Sequence, residues 1–237
     1  MPSCTFARRA SSILALMQLS DSALPIGRHA HAFGLERLFR DGLVQSPKDL
    51  ENMIMSALTH GAARADGAAT ALAHGALEAN CLSNLLRVDA RLDLLKLTHS
   101  SQAASRRCGS RLASLAPALH TNSTLVRFVQ AVANKETPGH VSVVSGAVAA
   151  ATEISREDAV LMELRGVASM ILSAAVRLDV IPASAAQALL ASLTPEITKA
   201  AGIALHTELS EMECSAAAGL EIASMRHARD HSRLFAT

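Results

Sequence analysis

The sequence contains no tryptophan and no tyrosine, and aromatic residues make up 2% of the chain. Strands favour aromatic and β-branched residues, whereas the alanine and leucine that are abundant here favour helices. No segment shows the alternation of apolar and polar residues that is typical of a strand. The composition therefore predicts an all-α fold, and the length of 237 residues predicts one bundle of about nine or ten helices.

The chain also lacks an excess of charge of either sign, because its formal net charge is +1. A nucleic-acid-binding domain would carry a basic face, so we expect no nucleic acid among its partners. The cysteines at 4, 81, 108 and 214 form no C-x-x-C pair. In a chain of this length they are typical of reduced thiols in a cytoplasmic protein.

Hydrophobic runs long enough to span a membrane are missing as well. The uncharged stretches 137–152 and 180–195 contain proline, serine or threonine and fall short of the roughly 20 apolar residues that a span needs. The apolar run Ile13–Met17 is shorter than the core of a secretion signal. We therefore expect a cytoplasmic protein that does not contact a membrane.

Several catalytic motifs are absent. The sequence has no P-loop, no H-E-x-x-H, no G-x-S-x-G and no Glu followed three residues later by His, which excludes the corresponding nucleotidases, zinc proteases, hydrolases and di-iron bundles. We expect no catalytic residue, no cofactor and no enzymatic activity.

Among the ten histidines, His29 and His31 are the candidate metal ligands. Imidazole binds nickel and zinc well, but residues two apart point in different directions on a helix. Only an extended segment could direct both side chains to one ion. The alternative is that they are ordinary loop histidines.

Helix starts are frequent along the chain. Ser46-Pro47, Ser155 and Thr194-Pro195 each combine a hydroxyl N-cap with an acidic residue in the following turn. The clearest helix is predicted from about Arg156 to Leu178, where apolar residues recur on one face. Other helices are predicted at 12–19, 31–40, 47–79, 85–95, 121–134, 140–152, 183–193 and 195–214.

Three segments carry residues that helix packing alone does not explain. They are the turn 21–27 with the following Gly34-Leu35-Glu36, the loop 135–140, and the C-terminal segment 222–235. The last segment combines Met225, Leu234 and Phe235 with several charges, which is typical of a tail that docks on a partner. The alternative is a last helix folded on its own domain.

These segments resemble the urease accessory protein UreF family. The resemblance rests on Ser22-Ala23-Leu24-Pro25-Ile26-Gly27, Gly34-Leu35-Glu36, Ser145–Ala149, Ala174–Leu178, and Ile222–Phe235, whose Ile-Ala-Ser-x-Arg-His and Ser-Arg-Leu-Phe match the family's ending. Ala228 replaces a glutamate of that ending, and Arg28–Ala32 replaces a Gly-aromatic-Ser-aromatic-Ser stretch found in many members.

The resemblance implies a dimeric, all-α scaffold in urease maturation. Such a protein binds the UreD (UreH) accessory protein, and the pair recruits the nickel-binding GTPase UreG to apo-urease and regulates GTP hydrolysis during nickel delivery. Two alternatives remain, an all-α ligand-sensing regulator and a helical metal-dependent enzyme.

The resemblance also implies two partner surfaces. Glu36, Asp66 and Arg177 are expected to face the GTPase, although Arg177 could instead cap the C-terminal end of its helix. The residues expected to dock on UreD are Arg226, His227, Ser232, Arg233, Leu234 and Phe235.

The domain is expected to occupy residues 1–237, with residues 1–11 disordered and residues 222–237 forming the docking tail. Part of a two-fold homodimer interface is expected on the uncharged helices around Val141–Ala151 and Val167–Val176.

Overall fold

A computed structural model describes residues 4–32, 34–213, 218–227 and 234–235, and these residues form helices and turns but no strand. The all-α prediction is confirmed. The helices are α1 (Cys4–Ser20), α2 (Leu35–Arg40), α3 (Pro47–Ser56), α4 (Ala68–Glu78), α5 (Leu82–Leu95), α6 (His99–Leu119), α7 (Ser123–Ala133), α8 (Val141–Ala151), α9 (Arg156–Arg177), α10 (Ala183–Ser192), α11 (Thr194–His206) and α12 (Ala218–His227). Short 3₁₀ turns occupy Arg28–Ala30 and Leu209–Glu211.

A π-helical segment, Ala57–Gly67, joins α3 to α4 without a break. The predicted helix at 47–79 is therefore one continuous helix whose middle has a wider turn. Counted in this way, the described parts of the chain contain eleven helices, close to the nine or ten expected. Wider turns of this kind place side chains off the regular helical face and occur often at functional sites.

Two of the three predicted helix starts are confirmed. The hydroxyl of Ser46 accepts the backbone N–H of Asp49 in a capping box, and Ser155 accepts the N–H of Asp158. Thr194 differs, because α11 begins at Thr194 itself and its hydroxyl donates to the carbonyl of Ala191. The chain enters α11 almost directly from α10, so no extended residue is available to act as the cap.

The centre of the bundle is the contact between α4 and α8, the most extensive helix pair in the fold. A Cβ atom added to Gly146 would lie 2.3 Å from the carbonyl oxygen of Thr70, so only glycine permits this approach. One apolar core lies on the side of α5, α6 and α7, and a second lies between α3, α9, α10 and α11.

The position of α8 corrects the expected dimer surface. All of its residues except Ala150 are buried within the chain itself, and the α9 stretch Val167–Val176 is also mostly buried. The apolar residues of these helices form the core of one protomer and leave little surface for a partner.

Of the stretch 1–11 that was expected to be disordered, residues 4–11 belong to helix α1, and residues 1–3 lie outside the described residues. The inner face of α1 packs Ala15, Leu16 and Leu19 against residues near the start of α9. Its outer face leaves large apolar side chains exposed, namely Phe6, Ile13, Leu14 and Met17. These four residues are called the α1 stripe below.

Helix α9 is long and apolar enough to cross a membrane. Helices α10 and α11 are long and apolar enough only when they are counted together, and the chain bends by 51° between them. However, 61% of the apolar window of α9 is buried against other helices. Core helices of soluble proteins have the same composition, so this is weak support for a membrane span.

Candidate functional site

Glu36 is the buried carboxylate to which the C-terminal tail is attached. Gly34 adopts a left-handed conformation with φ of 78° and turns the chain into α2, which places Glu36 in the first turn. The carboxylate accepts backbone N–H groups from Leu234, at 3.0 and 3.2 Å, and from Phe235, at 3.1 Å. The guanidinium of Arg40 lies 2.6 Å from the same carboxylate and balances its charge.

Arg177, at the end of α9, holds the other side of the tail. Its guanidinium lies over the ring of Phe235, 4.3 Å from the ring centroid, and also donates to the carbonyl of His29. Its Nε donates to the carbonyl of Ser173 in the last turn of α9. Arg177 therefore makes the helix-end contact of the capping alternative and contacts the tail as well.

Glu36, Arg177, Leu234 and Phe235 together form a unit that we call the tail clamp. Phe235 is 4% exposed and belongs to the apolar core around α9, whereas Leu234 is 60% exposed. The structure thus brings Glu36 and Arg177 together through the tail, a connection that the sequence did not indicate. It also directs Phe235 into its own chain, so of the two predicted anchors only Leu234 is exposed.

The remaining predicted docking residues are only partly described. Arg226 is exposed and lies 3.9 Å from Asp41 of α2. On the same helix, Ile222 and Met225 are exposed apolar residues. Ser232, Arg233 and the side chain of His227 lie outside the described residues.

The resemblance implied that Asp66 shares a partner surface with Glu36 and Arg177, but the structure does not bring Asp66 to them. It is buried in the π-helical segment, and its carboxylate is bound by the ammonium of Lys96 at 2.7 and 2.8 Å. Burial alone would raise the pKa of Asp66, but the charge of Lys96 and hydrogen bonds from Lys96 and Ser142 outweigh it and lower the pKa. Asp66 is therefore an ionised interior group.

Asp66 belongs to a chain of buried ion pairs that sequence reasoning missed. The hydroxyl of Ser142 lies 2.8 Å from Asp66 and 2.9 Å from Glu163, and Glu163 is bound by Arg28 at 2.8 and 2.9 Å. Because a hydroxyl has one hydrogen, Ser142 can donate to only one carboxylate at a time. The two carboxylates stay close together because Arg28 and Lys96 supply one positive charge each.

The position of Arg28 depends on a glycine in α9. A Cβ atom on Gly166 would lie 2.9 Å from the guanidinium carbon of Arg28, so a larger side chain would displace the arginine. The sequence alone could have singled out Glu163, because it is an acidic residue on the buried, apolar face of α9 beside Val160 and Leu164. The sequence gives no indication that Arg28 and Lys96 form buried ion pairs, since their partners are 135 and 30 residues away.

The ion pairs line a cavity of about 90 Å³ between the π-helical segment, α6, α9 and α12, which we call the central cavity. Apolar side chains form much of the remaining wall, together with Cys108 and Ser224. Cys108 is 3% exposed, and burial raises the pKa of its thiol. The volume corresponds to about three water molecules at roughly 30 Å³ each.

His29 and His31 are not brought together for metal binding. His31 lines the central cavity, whereas His29 lines two other clefts beside α9. Burial lowers the pKa of both imidazoles, assisted by Arg28 and Arg177 at His29 and by two arginines of α6 at His31. Within the described residues, no group of three or more His, Cys, Asp or Glu side chains could hold a metal ion.

The loop 135–140 has a structural explanation. Asp89 accepts hydrogen bonds from the hydroxyl of Thr137, at 2.6 Å, and from the backbone N–H groups of Gly139 and His140, at 2.6 and 2.9 Å. These three bonds attach the loop to α5 and fix the start of α8. The unusual composition of this segment therefore serves the fold.

Comparison with known proteins gives one consistent result. A model of the UreF family matches residues 44–194. Proteins named urease accessory protein UreF from Yersinia pestis, Yersinia pseudotuberculosis and Yersinia enterocolitica are each 30% identical to this chain over 226 residues. Each alignment covers 95% of this chain and 98% of the relative.

Proposed function

Because the chain belongs to the UreF family, we propose that it is a urease accessory protein that acts as a scaffold in urease maturation. With a UreD-type partner, also called UreH, it recruits the nickel-binding GTPase UreG to apo-urease. The assembly regulates the GTP hydrolysis that is coupled to nickel delivery into the urease active site. The protein works in the cytoplasm and uses no catalytic residue or cofactor of its own.

The tail clamp is the observation that supports this proposal best. The two charged residues expected to face the GTPase, Glu36 and Arg177, both contact Phe235 or its backbone. A change at either residue would therefore alter how the tail is presented. Glu36 is almost fully buried, so it reaches a partner through the tail and not by a direct contact. We infer that Glu36 and Arg177 act on the GTPase by holding the tail in place.

Asp66 enters this proposal in a different role. Its carboxylate is bound by Lys96 and Ser142 and its side chain is 12% exposed, so it acts mainly through these partners. The ion-pair chain connects it to Arg28, and the carbonyl of the next residue, His29, accepts from Arg177. Asp66 therefore helps to position Arg177 from the interior, through Arg28 and the carbonyl of His29.

Paired charge-removing variants test the clamp. Glu36→Gln and Arg177→Gln should change nickel loading of urease and the GTP consumed per active site, while co-purification with the UreD-type protein persists. Glu51→Gln in α3 and Arg165→Gln in α9 are matched controls that remove the same charges away from the tail. Normal urease activation at normal GTP consumption by both clamp variants would contradict the proposed surface.

The capping alternative for Arg177 predicts a different result. If the side chain only stabilises the end of α9, Arg177→Ala should lower the free energy of unfolding by roughly 0.3–1 kcal/mol and leave urease activation normal. Thermal unfolding and an activation assay on the same preparation separate the two roles.

Adjacent tail residues should separate docking on UreD from folding. Leu234→Glu changes an exposed side chain and should weaken UreD binding about 30-fold, equivalent to about 2 kcal/mol, with little change in melting temperature. Phe235→Ala removes a buried ring and should lower stability by up to about 3–5 kcal/mol. Titration calorimetry and thermal unfolding measure the two effects. Unchanged UreD affinity of Leu234→Glu would remove the tail from the proposed interface.

A further inference from the structure

Two arginines of α6 form an exposed pair of like charge, which we call the arginine pair. Arg107 and Arg111 are four residues apart and lie on the same face of the helix. Both are exposed, and like charges at this spacing destabilise a helix. Arg106 beside them forms an ion pair with Asp93, whereas neither member of the arginine pair forms one with a carboxylate in the described parts of the chain. The arginine pair is therefore retained at a cost to the helix.

Arg111 is held against the turn that precedes α2. Its guanidinium donates to the carbonyl oxygen of Ile26 at 3.5 Å, and a Cβ atom on Gly27 would lie 2.5 Å from the same guanidinium nitrogen. Gly27 has a φ of 79°, so the glycine provides both the left-handed turn and the room for Arg111. A side chain that is already held in place loses less conformational entropy when it binds a ligand.

The positive charge of the arginine pair extends over this turn. Burial is the main cause that lowers the pKa of His31, and Arg107 and Arg111 both lower it further. The same two charges act on the buried thiol of Cys108 and partly oppose the rise in its pKa on burial. Both guanidinium groups therefore lie on the same side of the turn. The whole chain has a formal net charge of +1, so this is a local positive surface on a nearly neutral molecule.

We propose that the arginine pair docks an acidic segment of one of the partner proteins in urease maturation. A guanidinium can donate two parallel hydrogen bonds to a carboxylate, and two of them one helical turn apart fit two carboxylates of one segment. A protein fits better than a small anion, because the arginine pair lines none of the three clefts named above and no wall of theirs would enclose the anion. The inference rests on the proposed function for the identity of the partner.

A hexaglutamate peptide tests the arginine pair without any urease component. In fluorescence anisotropy at about 50 mM salt, where screening is moderate, the double variant Arg107→Gln/Arg111→Gln should bind the labelled peptide about tenfold more weakly. Arg87→Gln/Arg127→Gln removes two exposed arginines of α5 and α7 and should change the affinity less than about twofold. Relieving the repulsion within α6 should not lower the melting temperature, so weaker binding would not reflect unfolding.

Two further probes identify what occupies the arginine pair. Inorganic phosphate should compete with the peptide only weakly, and Asp230→Asn should leave the peptide affinity unchanged. Equal loss of binding in both double variants would overturn the proposal. Displacement of the peptide by an equal concentration of phosphate, or tighter peptide binding by Asp230→Asn, would overturn it as well, because a small anion or the chain's own acid would then be the ligand.

Association kinetics with the purified UreD-type protein, UreG and apo-urease give the final test. Charges at the rim of an interface act mainly on the association rate, so Arg107→Gln/Arg111→Gln should slow association with one of the three and leave its dissociation rate nearly unchanged. Unaltered association with all three would overturn docking at the arginine pair. Urease activation by the unmodified chain tests the proposed function separately, so the two failures can be told apart.

Discussion

At the scale of single residues, His140 shows how one buried side chain joins three helices. Its ring is fully buried, with Nδ1 3.0 Å from the hydroxyl of Ser105 in α6 and Nε2 2.9 Å from Asp93 in α5. A neutral imidazole satisfies both contacts, because Nε2–H donates to Asp93 and Nδ1 accepts from Ser105. Burial lowers the pKa of His140 and outweighs the opposing effect of Asp93.

This lowered pKa predicts a loss of stability on mild acidification. Below about pH 6.5 the imidazole of the unfolded chain takes up a proton, whereas the folded one does not until the pH falls through its lower pKa. In that window the free energy of unfolding should fall by up to about 1.4 kcal/mol per pH unit from His140 alone. Urea unfolding at a series of pH values from about 7.5 to 5, a range that brackets the ordinary histidine pKa of about 6.5, measures how the free energy of unfolding changes with pH.

His140→Gln should remove from this slope the contribution of nearly one proton taken up on unfolding. His206→Gln, which replaces an exposed imidazole, serves as its control. An equal slope in His140→Gln and the unmodified chain would show that His140 is not the group responsible.

At the scale of helices, apolar periodicity predicted α9 within one residue at its C-terminal end but gave no sign of α6. The sequence of α6 contains serines, arginines, Gly109 and Pro117, and few large apolar residues. It is helical because small residues allow close packing: a Cβ on Gly109 would lie 1.9 Å from the carbonyl of Gly139. That requirement comes from a segment 30 residues away and cannot be read from local spacing.

The candidate site was predictable to a similar extent. Glu36 and Arg177 were found by resemblance, but the tail residues that join them lie far away in sequence. The backbone N–H of Phe235 that Glu36 accepts is 199 residues away. Glu163 could have been found from its place on an apolar helix face, whereas Arg28 and Lys96 acquire their roles only from tertiary structure.

The contact between α4 and α8 predicts opposite effects for two glycine substitutions. Gly146→Ala places a Cβ against the backbone of Thr70, where nothing can move aside, and should lower stability by at least about 1–3 kcal/mol. Gly75→Ala in α4 meets no atom within 4 Å and should raise stability by about 0.5–1 kcal/mol. Chemical denaturation of both variants measures the difference, and a stabilising Gly146→Ala would contradict this packing.

At the scale of the whole molecule, the α1 stripe is a set of large apolar side chains that stay exposed among the described residues. Its four large side chains lie on one face of a helix whose other face packs on the core. Contiguous exposed apolar patches commonly mark protein interfaces, and two-fold dimers are the commonest assemblies of identical chains. The expected homodimer therefore fits α1 better than the buried α8.

We predict that the chain dimerises through the α1 stripe. Leu14→Arg should convert the dimer to a monomer in light scattering at micromolar concentration, because a charge in an apolar interface loses its hydration without a partner. Leu94→Arg places the same charge on an exposed leucine of α5 and should leave the dimer intact. A dimer that persists in Leu14→Arg would exclude the stripe.

The distance along the chain between Glu36 and its tail partners has a consequence for biosynthesis. Glu36 leaves the ribosome long before Phe235 has been made, because 199 residues separate them. At about 5–20 residues per second, translation of that interval takes roughly 10–40 s. During this time the nascent protein can assemble its central helices, but its carboxylate has only Arg40 of its described partners. The clamp can thus form only after this whole interval has been translated, and a chain that stops before Leu234 would lack the tail contacts of Glu36 in α2.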